Sequence, residues 1–156
     1  MAPGAGRQDP RDDAGMELPE ALDYLRPRHF GVLVTAKRDG RPQLSNVGFA
    51  VGDDGIVRVS VTESRAKVAN ARRDPRVSLH ATASDFWSYV VIEGDAELSA
   101  VATNPDDAVV DELVAYYRAV SGEHPDWEDY RRAMVADHRL VLRIRPSRAY
   151  GAIPGG

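Results

Sequence analysis

Apolar residues recur along this chain with two different periods, and the alternation between them lays out most of the elements. Over residues 18–27, Leu18, Ala21, Leu22 and Leu25 follow the i, i+3, i+4, i+7 spacing of a short amphipathic helix, with Pro19 in its first turn and Pro27 at its end. Residues 30–36 form a continuous, β-branched run that meets an Asp39-Gly40 turn. Extended character resumes over residues 43–51, so the two segments predict a hairpin. A turn at Asp53-Asp54-Gly55 leads into residues 56–62, where Val57, Val59 and Val61 alternate with Arg58, Ser60 and Thr62. That strand has one apolar and one polar face.

Ser64 reads as the N-cap of a helix over residues 65–73 that Asp74-Pro75 stops. Strand patterning returns over residues 76–83 and 87–98. Asn104-Pro105-Asp106-Asp107 starts a helix with Val109, Val110, Leu113, Val114 and Tyr117 as its buried stripe and a stop at Ser121-Gly122. A second helix is expected over residues 125–135. The last strand, residues 139–144, carries Leu140, Leu142 and Ile144 on one face, and a Gly/Pro-rich coil is expected to follow it. Six short strands with turn signals about 8 to 12 residues apart predict a small barrel, closed or partly open, with helices packed outside.

Composition narrows the classes. A chain of 156 residues, 43% hydrophobic and 28% charged, fits one soluble domain. Residues 1–15, rich in Gly, Ala, Pro and Asp and without an apolar stretch, are expected to be a disordered tail rather than a signal peptide, which leaves residues 16–156 as the domain. No apolar run approaches the roughly 20 residues that span a bilayer, so no membrane partner is expected. The absence of cysteine excludes disulfides, thiolate zinc sites, iron–sulfur clusters and cysteine nucleophiles, and makes the cytoplasm the expected compartment. A net charge of −4 speaks against a nucleic-acid partner. His29, His80, His124 and His138 fall at spacings that put no two on one helical face, so no metal site is expected. The Gly-rich nucleotide loops, the nucleophile elbow and the zinc-protease motif do not occur.

Charge also points to one place. Arg65 and Lys67 fall in the first turn of the predicted helix, at the positive end of its dipole, where cations are disfavoured. From Arg65 to Arg76 there are five cations and one acid, in a chain that is acidic as a whole. Free backbone N–H groups, the Ser60 or Ser64 hydroxyl, a forked guanidinium and an ammonium together match a phosphate, and Asn70 lies three residues beyond Lys67. Solvated cations on a surface helix meet the same spacing, so both readings stand at this point. Gln43, Ser45 and the Arg58, Ser60, Thr62 series either line a groove or form a solvated strand face. Asp85-Phe86-Trp87-Ser88-Tyr89 groups three aromatics ahead of a strand, in the manner of core or interface residues or a platform for a planar ring.

Several segments, in order, resemble one known family. They are Gly31-Val-Leu-Val-Thr35, Asp39-Gly-Arg-Pro-Gln-Leu-Ser-Asn46, Val59-Ser-Val-Thr-Glu-Ser-Arg-Ala-Lys67, Asn70-Ala-Arg-Arg-Asp-Pro-Arg76, Trp87-Ser-Tyr89, Tyr130-Arg-Arg-Ala-Met134 and Tyr150-Gly151. They are similar to the pyridoxamine 5'-phosphate oxidase-like FMN-binding split-barrel superfamily, most closely its F420-dependent branch, the flavin/deazaflavin oxidoreductases of group B. The resemblance implies a mainly β fold with α insertions, a six-stranded antiparallel split β-barrel, and a homodimer with cofactor sites at the subunit interface. It implies that Arg65 and Lys67 hold the cofactor phosphate with Ser60, Val61 and Asn70 beside it. Gln43, Ser45 and Asn46 then line the ring and ribityl region, and Trp87, Ser88 and Tyr89 reach in from the partner chain. The implied cofactor is coenzyme F420, with FMN as the alternative. The implied activity is hydride transfer from reduced deazaflavin to a small conjugated acceptor, against which stands a non-catalytic flavin- or deazaflavin-binding role. No catalytic side chain is implied, since the cofactor carries the hydride chemistry. The acidic tail of coenzyme F420 would call for further cations such as Lys37, Arg38 or Arg41. Members that oxidise pyridoxamine phosphate close with a Trp-Arg-containing segment; here the chain reads Arg143-Ile-Arg-Pro-Ser-Arg-Ala-Tyr150, and vitamin B6 oxidation is not expected.

Overall fold

The computed structural model describes residues 15–153. All strand pairings are antiparallel, and the strands lie in the order β3-β2-β6-β7-β8-β5-β4, with a short β1 on the flank of β8. In chain order these are β1 (Gly15–Met16), β2 (Phe30–Ala36), β3 (Pro42–Gly48), β4 (Ala50–Val51), β5 (Val57–Thr62), β6 (Arg76–Thr82), β7 (Tyr89–Leu98) and β8 (Arg139–Ala152). The helices are α1 (Leu18–Leu25), α2 (Ala66–Arg73), α3 (Ala108–Ser121) and α4 (Trp127–Ala136). This is the split-barrel fold. Six of its strands have at least six residues, and β1 and β4 are two-residue additions to that set. Of the tail expected over residues 1–15, only Gly15 is described, as the start of β1; the others lie outside the described residues.

The strand predicted over residues 43–51 is two strands. Phe49 breaks it: its N–H donates to the His29 carbonyl at 2.8 Å, and its ring turns into the core with no exposure. The coil expected after Ile144 is instead the second half of β8, which pairs with β7 as far as Ala152. A bulge makes this possible, because the register jumps from Glu93↔Arg148 to Gly94↔Pro146 and Ser147 is the extra residue. Pro146 thereby enters a strand despite lacking an N–H. Gly94 is required at the bulge, since a Cβ there would lie 2.2 Å from the Arg145 carbonyl oxygen.

Two cores meet at β8. Leu140, Leu142 and Ile144 point into the barrel with Val57, Val59, Val61, Leu33, Leu79 and Ile92, and Ala21, Leu22 and Leu25 of α1 and Val68 and Ala71 of α2 pack into the same core. Val141, on the opposite face, belongs to a second cluster formed with Val110, Leu113, Tyr130 and Met134 of α3 and α4. Burial of these side chains, each worth about 1.5 to 3 kcal/mol, fixes the α3–α4 hairpin to the outside of the sheet. Among the described residues no helix is long and apolar enough to cross a membrane.

Candidate functional site

The loop from β5 to α2 is set by two hydrogen bonds. Glu63 N–H donates to His138 O at 3.1 Å and Arg65 N–H to Thr62 O at 3.0 Å. These place Ser64 one residue too early to cap the helix. Arg65, with extended backbone, takes the N-cap position instead, and no side chain caps the helix. The N–H groups of Ala66 and Lys67 have no hydrogen-bond acceptor among the described residues, and the first turn holds no acid. An uncapped helix start with cations around it is an anion-binding arrangement.

A cavity of about 440 Å³ opens there. One wall is Asn46, Val47 and Gly48 of β3 with Ser60, Val61 and Thr62 of β5; Arg65 and Lys67 stand at the helix start. Across from them are Tyr116, Tyr117, Tyr130 and Met134 of α3 and α4, and Arg139 at the start of β8. The Tyr116 hydroxyl donates to Gly48 O at 2.9 Å and the Tyr130 hydroxyl to Leu113 O at 2.9 Å, which fixes both rings. Burial raises the Tyr116 phenol and pushes Tyr130 up to about 12, so both stay neutral at ordinary pH. A Cβ on Gly48 would come within 2.8 Å of the Tyr116 hydroxyl, so this contact needs glycine.

The cavity is electropositive. Burial, and then the charges of Arg65 and Arg139, lower the pKa of Lys67 from its ordinary value. Arg139 Nη1 lies 3.4 Å from Ser60 Oγ, while its buried Nε has no hydrogen-bond partner. The nearest acid to that nitrogen is Asp137, at 3.9 Å.

Of the residues singled out in the sequence, Asn46, Ser60, Val61, Arg65 and Lys67 come together in this cavity. Gln43 and Asn70 do not. They line a second cavity of about 450 Å³ with Lys37, Arg38 and Arg73, on the other side of the first turn of α2. Lys67 and Asn70, expected on one ligand, therefore face different cavities. The Asn70 side chain is buried and ties α2 to β2: Nδ2 donates to Thr35 Oγ1 at 3.1 Å, and Oδ1 accepts from Arg73 Nη2 at 2.9 Å. Ser45 sits half-buried opposite Leu33 and lines neither cavity. Trp87, Ser88 and Tyr89 also lie outside both within this chain. Trp87 is exposed, the Ser88 hydroxyl donates to Asp85 Oδ2 at 3.1 Å, and the Tyr89 ring stacks on His80 with centroids 5.4 Å apart. Arg58, read as part of a polar groove, pairs with Asp54 and Glu112.

Sequence reasoning missed Arg139 and the wall of Tyr116, Tyr117 and Met134. Helical periodicity placed Tyr117 on a buried stripe, but nothing local says which strand that stripe packs on. Among the described residues no three His, Asp or Glu side chains converge as metal ligands would.

Comparison with known proteins adds four findings. The family model for pyridoxamine 5'-phosphate oxidase matches residues 18–152. An F420H(2)-dependent biliverdin reductase of Mycobacterium tuberculosis is 29% identical over 135 residues, which is 85% of this chain and 86% of that protein. Among solved structures, a conserved hypothetical protein from Mycobacterium tuberculosis superposes with a TM-score of 0.68 at 24% identity, covering 93% of this chain and 88% of the other. A protein described as an F420 reductase superposes with a TM-score of 0.58 at 26% identity, covering 80% of this chain and 90% of its own.

Proposed function

Since the chain belongs to the pyridoxamine 5'-phosphate oxidase family, we propose that it is an oxidoreductase using coenzyme F420, passing hydride from the reduced deazaflavin to a small conjugated organic acceptor. The observation that carries this reading is the uncapped start of α2, where two unpaired amides, Arg65 and Lys67 meet at one cavity. The names of the two relatives cited for F420 support the choice of coenzyme.

Residues and group fit each other. A phosphate diester needs N–H donors and compensating charge, and the Ala66 and Lys67 amides, the Arg65 fork and the Lys67 ammonium supply them. Ser60 offers a hydroxyl beside them, and Asn46 and Val61 continue the wall. On the far side of the helix turn, the Lys37 and Arg38 side chains make no ion pair or hydrogen bond among the described residues; with Arg73 they outnumber Asp39, the one acid lining that cavity, and they suit the carboxylates of the coenzyme's tail. When bound, the coenzyme supplies a two-electron hydride donor. The chain's own part is to hold the anion and to exclude water from one side of the cavity with the rings of Tyr116, Tyr117 and Tyr130.

The reading includes a second copy of the chain. Phe30, Leu44, Phe86 and Trp87 are large apolar side chains left exposed, at 77%, 59%, 70% and 62%. Such surface is in keeping with a homodimer in which Trp87, Ser88 and Tyr89 complete the partner's site.

Parallel fluorescence titrations of the purified protein with coenzyme F420 and with FMN test the proposal, followed by oxidation of the reduced coenzyme with conjugated acceptors. Binding of coenzyme F420 at least about ten-fold tighter than FMN, with turnover, is expected. Equal or tighter binding of FMN would reassign the cofactor. Tight binding of F420 without turnover on any acceptor would make the protein a carrier.

A further inference from the structure

Three cations face the cavity at the start of α2, and two of them, Arg65 and Lys67, come from that helix start. Arg139 is the third, and it comes from the other end of the chain. It follows His138, which has a φ of 53° and is the one non-glycine residue with positive φ among the described residues. The chain therefore leaves α4 through a left-handed turn and enters β8 at Arg139, opposite Thr62 of β5. The contrast with the other two half-buried arginines on the same pair of strands is sharp. Arg58 and Arg143 both hydrogen-bond Glu112, at 2.8 and 2.6 Å. Arg139 has no such carboxylate: Asp137 is 3.9 Å from its Nε, beyond hydrogen-bond distance, and that buried nitrogen has no acceptor. A buried guanidinium N–H with no acceptor, facing two further cations, disfavours the empty cavity. An oxyanion in the cavity would relieve both effects at once.

Resting on the reading of this cavity as a phosphate site, we propose that Arg139 is a third ligand of the oxyanion held by Arg65 and Lys67, so that the group is clamped between the start of α2 and the start of β8. The guanidinium suits the role because its N–H groups present a planar fork to oxyanions, which the Lys67 ammonium cannot do. Ser60 joins the same clamp: its Oγ accepts from Arg139 Nη1 at 3.4 Å, which leaves the hydroxyl proton to donate.

Nuclear magnetic resonance of the wild-type protein under titration with inorganic phosphate reads this directly. The Arg139 Nε–H resonance should move together with the Ala66 and Lys67 backbone amides. Arg139→Gln should weaken binding of coenzyme F420 by about ten-fold or more, and Arg139→Lys should recover part of the loss. Movement of the two amides without the Arg139 resonance, or wild-type affinity in Arg139→Gln, overturns the proposal and leaves the phosphate site standing. If neither the amides nor Arg139 respond, both fall. Should Arg139→Gln fail to fold, the wild-type titration and Arg139→Lys decide the matter.

Discussion

The outward face of β5 carries two arginine clusters of opposite character. At one end Arg58 meets Asp54 and Glu112, and Glu112 in turn holds Arg143 of β8, which reaches Glu97 as well. Every cation there has a carboxylate within 3.2 Å. At the other end, two residues along the same face, Ser60 and Thr62 open onto a cavity where Arg65, Lys67 and Arg139 have no carboxylate within hydrogen-bond distance. The first cluster is complete in itself and pins α3 to the barrel. The second is short of negative charge, and this deficit marks it as a place for a ligand. Alternation along β5 alone does not distinguish them, since Arg58, Ser60 and Thr62 share one face; the difference lies in what α3 presents to each end, Glu112 at one and Tyr116 and Tyr117 at the other.

The contrast can be broken from either side. The largest effect is expected at the open end: Arg65→Ala and Lys67→Ala should each weaken coenzyme binding by about 1.5 to 3 kcal/mol, read by fluorescence titration, with little change in urea midpoint. Wild-type affinity in both variants would place the anion elsewhere. At the closed end the roles reverse. Glu112→Gln leaves Arg58 and Arg143 facing each other without their shared carboxylate, and should cost about 1 to 3 kcal/mol in urea unfolding while leaving coenzyme affinity unchanged. A variant that loses affinity but no stability would mean the two ends are not separable.

The smallest effect concerns acid. The Arg58 hydrogen bonds hold Asp54 at about 2, against an ordinary value of 3.8. A carboxylate whose pKa is depressed by folding stabilises the fold above its unfolded value and loses that contribution as pH falls through its folded one. Stability should therefore drop between about pH 4 and pH 2, and Asp54→Asn should remove that part of the slope. The side chain is 48% exposed, so solvent screening limits the effect to about 1 kcal/mol or less. An unchanged slope in Asp54→Asn would assign the acid sensitivity to Glu112, whose pKa the Arg143 and Arg58 hydrogen bonds also lower.

Local pattern was enough for most of the strands and for the meeting of Arg65 and Lys67 at the start of α2. Alternation gave β5, β-branching gave β2, and the misplaced charges of Arg65 and Lys67 pointed to the start of α2 because dipole and charge act within one turn. What local pattern could not give was tertiary. Arg139 joins Arg65 only because β8 pairs with β5, a pairing 77 residues apart between Thr62 and Arg139. Asn70 has the right spacing from Lys67, yet Thr35 and Arg73 take up its amide. The second half of β8 was hidden by Pro146 and Gly151, residues that ordinarily end a strand and here sit at a bulge and at a close approach to Tyr89.

The position of Val141 bears on how this architecture tolerates replacement of parts. Since alternate side chains of one strand serve the barrel and the helical hairpin separately, residues 103–137 could be exchanged for another insert that presents a matching apolar row to Val141, with His138 kept because its carbonyl holds the Glu63 amide. The barrel interior would keep every one of its own contacts through Leu140, Leu142 and Ile144. Such a graft would change the roof of the cavity while the helix start beneath it stayed in place, a route by which one scaffold can be refitted for different ligands.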